Sequence, residues 1–253
     1  MKDVFITYAH RGSSIKYPEN TLLAFSRAIK EGANGIELDV QLTKDNQVVV
    51  FHDLSLKRII RRTGQISNYT LKEIQQFDAG VWKHARFKGA KIPTLHEVLR
   101  LAAKQKIMIN IELKNLLAMK NGLEQRVIEL IKEHNMSDRV VISTFNPLSL
   151  RILQNQADHI QRAFLYLGLL SDPWEYALEY RCAYIHPPVH EVNEAFVTTS
   201  REKGLKIVPY QVDSLTEIKR MIDLGVDGVI TPHPRLVHRL LNAGIKKRKR
   251  PRP

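Results

Sequence analysis

Cysteine is nearly absent: Cys182 is the single one in a chain of 253 residues. One thiol cannot close an internal disulfide, so the fold must stand on its core, and the chain fits a reducing compartment. No apolar run approaches the roughly 18–20 residues that span a bilayer. A basic segment followed by an apolar stretch is missing at the start, where Asp3 leads straight into a strand-like Val4-Phe5-Ile6. These absences favour a soluble cytoplasmic protein without stable membrane insertion. Acidic residues are also few, 26 against 39 Lys and Arg, for a net charge of +13. Six of those basic residues sit in the tail 246–253, read as disordered and able to touch anionic surfaces only weakly. The excess left in the body suits an anionic substrate, and nothing singles out a specific nucleic acid.

What is present begins with Gly35–Asp53. Glu37 and Asp39 stand two apart among Ile36, Leu38 and Val40, so on a strand both carboxylates share one face. Two neighbouring acids in an apolar strand repel each other and pay for desolvation unless a cation lies between them. His52 and Asp53 follow the apolar run Val48–Phe51.

Strand and helix patterns then alternate. Strands are expected at Val4–His10, within Gly35–Asp53 (a strand, a short polar turn and a second strand), and at Lys106–Leu113, Arg139–Thr144, Gln161–Tyr166, Cys182–Ile185, Lys206–Gln211 and Gly228–Thr231. Between them run helical patterns, the first with Leu22, Phe25, Ala28 and Ile29 in step and Gly32 as its stop. Eight such units in about 250 residues favour a (β/α)8 TIM barrel over an open sheet. Residues 54–94 break the rhythm and are read as a small insertion between strand 2 and helix 2, giving one domain over 1–245 followed by the tail.

Catalytic residues of such a barrel lie at the C-terminal strand ends. Those ends carry His10 and Arg11, Glu37 and Asp39, and Glu112 with Lys114, with His52 just beyond. Glu37, Asp39 and Glu112 offer oxygen ligands only, which favours Mg²⁺ or Ca²⁺ over zinc. Arg11 and Lys114 suit a phosphate, and His10 and His52 can serve as base and acid. Singly, each has an ordinary reading: a strand-end histidine is usually structural, and an acid near a lysine is usually a salt bridge. Together at one mouth they point to metal-assisted phosphoryl chemistry.

The ordered set His10-Arg11-Gly12, Pro18-Glu19-Asn20-Thr21, Glu37-Leu38-Asp39, His52-Asp53, Ile92-Pro93-Thr94-Leu95 and Glu112-Leu113-Lys114 resembles the glycerophosphodiester phosphodiesterase family over nearly the whole chain, to about Pro234. The resemblance implies a TIM barrel that hydrolyses glycerophosphodiesters to glycerol 3-phosphate and an alcohol. It implies Glu37, Asp39 and Glu112 as metal ligands, His10 and His52 as the acid/base pair, and Arg11 and Lys114 on the phosphate, with Asn20 in support. The first nucleophile, water or the glycerol 2-hydroxyl, stays open. Similar proteins carry Trp-Thr-Val-Asn where this chain has Tyr210-Gln211-Val212-Asp213, and Pro232 replaces an Asp; Tyr210 is then an aromatic wall of the substrate pocket. A bulkier diester cleaved by the same machinery, as by a lysophospholipase D, is the enzymatic alternative. A non-catalytic phosphodiester-binding descendant is the other. His84, His96, His186 and His190 are assigned no catalytic role and are expected at surface or loop positions.

Overall fold

The computed structural model describes residues 4–115 and 121–248, the stretch 244–248 in backbone only. The strands are Ile6–His10 (β1), Gly35–Leu42 (β2), Val48–Val50 (β3), Met108–Leu113 (β4), Val140–Thr144 (β5), Gln161–Leu165 (β6), Tyr184–His186 (β7), Lys206–Ile207 (β8) and Gly228–Thr231 (β9). The α-helices are Leu22–Lys30 (α1), Lys57–Ile60 (α2), Leu71–Ile74 (α3), Leu95–Gln105 (α4), Leu123–Glu133 (α5), Pro147–Gln156 (α6), Pro173–Glu179 (α7), Glu194–Glu202 (α8), Leu215–Leu224 (α9) and Pro234–Arg248 (α10). Residues 246–248 of the basic tail close α10; the rest lies outside the described residues.

The sheet runs β8-β7-β6-β5-β4-β2-β1-β9, every neighbouring pair parallel, and β3 is added antiparallel to β2. The seam between β9 and β8 is crossed by backbone bonds from Asp227 N to Ile207 O (3.0 Å) and Ile230 N to Pro209 O (3.0 Å). The result is a nearly closed parallel barrel of eight strands with helices outside, as expected. The seventh barrel strand is shorter than Lys206–Gln211, since Pro209 has no amide to donate to the ladder.

Local sequence starts and stops the helices. Thr21, Asn146 and Asn193 cap α1, α6 and α8, while Thr94 with Glu97 and Ser214 with Glu217 form capping boxes on α4 and α9. Apolar helix faces pack on outward-facing strand residues. One cluster holds Phe25, Ile36, Leu38, Leu99, Ile111 and Val127; a second, behind the later strands, holds Phe164, Ile185, Phe196, Ile207 and Met221. Each fully buried Leu, Ile or Phe contributes about 1.5–3 kcal/mol.

The 54–94 insertion has a satellite core of its own, in which Leu56, Ile59, Ile66, Ile74, Phe77 and Ile92 pack under Val49 and Phe51 of the β3 ribbon. His186 corrects an expectation: it is fully buried on β7, not in a loop or at the surface. The Tyr184–Ile185–His186 run alternates faces, which turns Ile185 to the helices and His186 inward. His84 and His190 are exposed, as is His96, whose ring nitrogen lies 3.0 Å from that of His134.

Candidate active site

Parallel register brings the site together. His10 on β1 stands level with Glu37 on β2, and Asp39 level with Glu112 on β4. The loop after β1 then turns sharply. Gly12 has φ +85°, and a Cβ there would meet the Ala24 carbonyl carbon at 2.6 Å, so only glycine lets this loop lie on α1. Arg11 and Asn20 also adopt the left-handed region, both with φ 55°. Strain of this sort gathers where a site over-determines the backbone. The turned Arg11 amide donates to the Glu37 carboxylate at 3.0 Å, and the Asn20 amide group donates to Asp39 at 2.8 Å.

Glu37, Asp39 and Glu112 place carboxylate oxygens within 4.8 Å of one another. Two unit charges that far apart repel by roughly 3 kcal/mol at an effective dielectric of 20. Arg11 Nε lies 3.3 Å from Asp39, and Lys114 Nζ lies 2.7 Å from Glu112 and 3.7 Å from Asp39. Burial, then Asp39, pushes the Glu112 carboxyl up to about 7, and the same causes raise Glu37 well above the usual range. Asp39 bears the same burial penalty, but Arg11 and Lys114 outweigh it and hold its carboxyl low. Glu37 Oε1 and Asp39 Oδ1 are buried without a hydrogen-bond partner among the described residues. Oxygen donors this crowded and unpartnered fit a metal ion.

The β3 ribbon carries the second histidine. Phe51 N donates to Asp39 O at 2.9 Å, which returns the chain beside the acids and sets His52 at the mouth. The buried Gln41 side chain clamps the turn, its amide donating to the carbonyls of Phe51 (2.8 Å) and Asp53 (2.9 Å). His52 Nδ1 is 2.7 Å from Asp53, whose carboxylate also takes two bonds from Arg58 (2.6 and 2.8 Å). Arg58 in turn grips Glu19, and Glu19 accepts from Arg11 at 3.1 Å. The two histidine arms are thus joined by one ionic chain. Burial, with Arg11 beside it, pushes His10 down to about 3, and the Gln211 amide donates to its Nε2 at 3.1 Å.

All nine residues expected at the site lie around this mouth. Tyr210 sits on the far wall, its hydroxyl donating to Tyr166 O at 2.5 Å and its ring edge-on to Phe145. Three neighbours escaped the sequence reading, Gln41, Arg58 and Phe145, and Gln211 was named there only as a departure from the family's pattern. Asp53 and Glu19 stood inside quoted motifs, but their pairing through Arg58 had no signal. A cavity of about 450 Å³ opens beside His52, Asp53, Glu112 and Lys114, walled by Leu54, Leu113 and Phe145.

Residues 10–236 match the glycerophosphoryl diester phosphodiesterase family. A glycerophosphodiester phosphodiesterase of Caldanaerobacter subterraneus subsp. tengcongensis is 41% identical over 239 residues, covering 94% of this chain and 98% of that protein. One from Bacillus altitudinis is 38% identical over 230 residues, covering 90% and 94%. Among solved structures, an Oleispira antarctica phosphodiesterase in complex with the product sn-glycerol-3-phosphate superposes with a TM-score of 0.88 at 27% identity, covering 94% of this chain and 96% of that one.

Proposed function

The chain belongs to the glycerophosphoryl diester phosphodiesterase family, and we propose that it hydrolyses glycerophosphodiesters to sn-glycerol 3-phosphate and an alcohol. One observation carries the reading: three converging carboxylates, two of them with orphaned oxygens, face two histidines and two cationic side chains at one mouth. No ligand or histidine of that set is missing, which argues against a non-catalytic binding protein.

Glu37, Asp39 and Glu112 would hold one divalent cation, Mg²⁺ or Ca²⁺, since all their donors are hard oxygens. When bound, that cation supplies Lewis-acid polarisation of the phosphoryl oxygens. Arg11 and Lys114 bind and orient the phosphate, and Asn20 keeps Asp39 turned toward the cation through its 2.8 Å bond. His10, neutral at physiological pH, accepts the proton of the attacking oxygen, and His52 donates one to the leaving alkoxide. Asp53 holds His52 by Nδ1, which leaves Nε2 to meet the substrate. Tyr210 is a wall of the pocket through its ring, its hydroxyl being committed to Tyr166.

The test is a panel of glycerophosphodiesters scored for glycerol 3-phosphate, with and without chelator. Metal-independent turnover, or none on any diester, would overturn the reading. A second reading has its own support: Leu54, Leu113 and Phe145 form apolar walls beside His52, room suited to the acyl chain of a lysophospholipid cleaved by the same site. Release of lysophosphatidic acid and headgroup alcohol from a lysophospholipid, in preference to glycerol 3-phosphate from the deacylated diester, would select it. We place the protein in the cytoplasm on the strength of its single, buried cysteine; among the described residues no helix is long and apolar enough to cross a membrane.

A further inference from the structure

Solvent-exposed apolar side chains are distributed unevenly over this barrel. Ile15, Leu54, Leu148, Leu167, Leu169 and Leu215 are all exposed, and they lie on the segments after β1, β2, β5, β6 and β8. Each of those segments leaves the C-terminal end of its strand, so the six ring the mouth that holds the site. Leu167 and Leu169 stand out at 73% and 90% exposed, with only Gly168 between them. The other exposed large apolar side chains among the described residues are Val4 just ahead of β1, Val81 in the 54–94 insertion, and Tyr176 and Leu178 on α7. Leucines held in water around one opening mark a docking face.

Charge is just as unevenly placed. The insertion 54–94 carries nine Lys and Arg against two Asp and Glu, a net +7. Outside it and the tail 246–253 the chain is neutral, with 24 residues of each sign. Lys57, Arg61, Arg62 and Lys88 of the insertion are exposed and enter no ion pair among the described residues. The insertion leaves the mouth directly after His52-Asp53, so its cations and the apolar rim border the same opening.

We propose that this mouth is an interfacial face that docks on anionic phospholipid bilayers. Leu167 and Leu169 enter the headgroup boundary and the 54–94 insertion supplies the cationic contact. A bilayer accepts both features at once, anionic headgroups for Lys and Arg and an acyl boundary for leucine. A nucleic acid would meet the cations but give the leucines nothing to bury against. Docking leaves the site facing the surface from which lipid-derived diesters come, and the inference does not depend on which diester is cleaved.

The test is sedimentation of the full chain with vesicles of phosphatidylcholine alone and of phosphatidylcholine mixed with phosphatidylglycerol. Binding is expected on the mixed vesicles and much less on the neutral ones. Leu167→Ser with Leu169→Ser should weaken it roughly tenfold or more, since each loses buried apolar area in the interface. Lys57→Glu with Arg61→Glu should remove the preference for anionic lipid. All four positions are exposed, and unchanged thermal unfolding and turnover of a small soluble diester will show that the variants fold. A chain lacking residues 246–253 should retain most of the binding. Overturning results are no sedimentation with mixed vesicles, binding lost entirely with the tail, or binding indifferent to both double variants. Cation-dependent binding to duplex DNA with no effect of the leucine pair would assign the surface to nucleic acid and sink the proposal.

Discussion

Strands β1, β2 and β4 and strands β6 to β9 close the same barrel, yet they present opposite chemistry at its mouth. The first group brings His10, Arg11, Glu37, Asp39, Glu112 and Lys114, with Arg11 and Lys114 paired to Asp39 and Lys114 to Glu112. The second brings Tyr210, its hydroxyl bound to Tyr166 O, and the buried His186, whose ring nitrogens have no hydrogen-bond partner among the described residues. Behind both walls the packing is alike, apolar helix faces on apolar strand faces. The difference is therefore confined to inward-facing residues at the strand ends. It shows that the charge cluster is a property of adjacent parallel strands in register, where Asp39 meets Glu112 by pairing. Fold and chemistry use opposite faces of the same strands, which lets one wall concentrate repelling acids without costing the core its packing.

The comparison can be broken most sharply at the acids. Removing divalent metal should abolish turnover, and re-adding Mg²⁺ or Ca²⁺ should restore it; Glu37→Gln should do the same irreversibly, read as initial rates. Proton and cation compete for one carboxylate, and Glu112 is pushed up to about 7. Metal affinity should therefore fall as pH drops below that value and level off above it, with protons released on binding, as calorimetry in buffers of different ionisation heat will report. Next in size, His10→Ala or His52→Ala should lower kcat by about 10²–10⁴ with little change in KM. Wild-type turnover in either folded variant removes its acid/base role.

Asp53→Asn should cost less, roughly 10- to 100-fold, because it loosens His52 without removing it. Its signature is a changed pH–rate profile, where a purely structural part would shift only stability. Smallest is the far wall: Tyr210→Phe should lose about 1 kcal/mol of unfolding free energy with its one hydrogen bond and leave kcat nearly intact. A large kcat loss there would show that the two walls share the chemistry after all.

Much of this was legible in the chain. Alternation in Ile36-Glu37-Leu38-Asp39-Val40 announced both strand and site, because one face must meet helices and the other must not. His10, His52 and Glu112 were legible as strand ends in a counted strand–helix rhythm. Other parts carried no local mark. His186 had no sign that its face pointed inward, and Lys206–Gln211 was cut short by Pro209 at a barrel seam that closes only in three dimensions. Gln41, Arg58 and Gln211 are ordinary polar residues until the fold brings them to His52, Glu19 and His10, 11, 39 and 201 residues away along the chain.

The sequence by itself determined the fold class and picked out the three acids, the two histidines and the two cations of the mouth, since periodicity and residue chemistry are local properties of a chain. Only the tertiary structure decided which side chains hold those groups in place, which wall is charged and where exposed leucines gather. Those are matters of register and closure, and they depend on distances between residues that the chain itself keeps far apart.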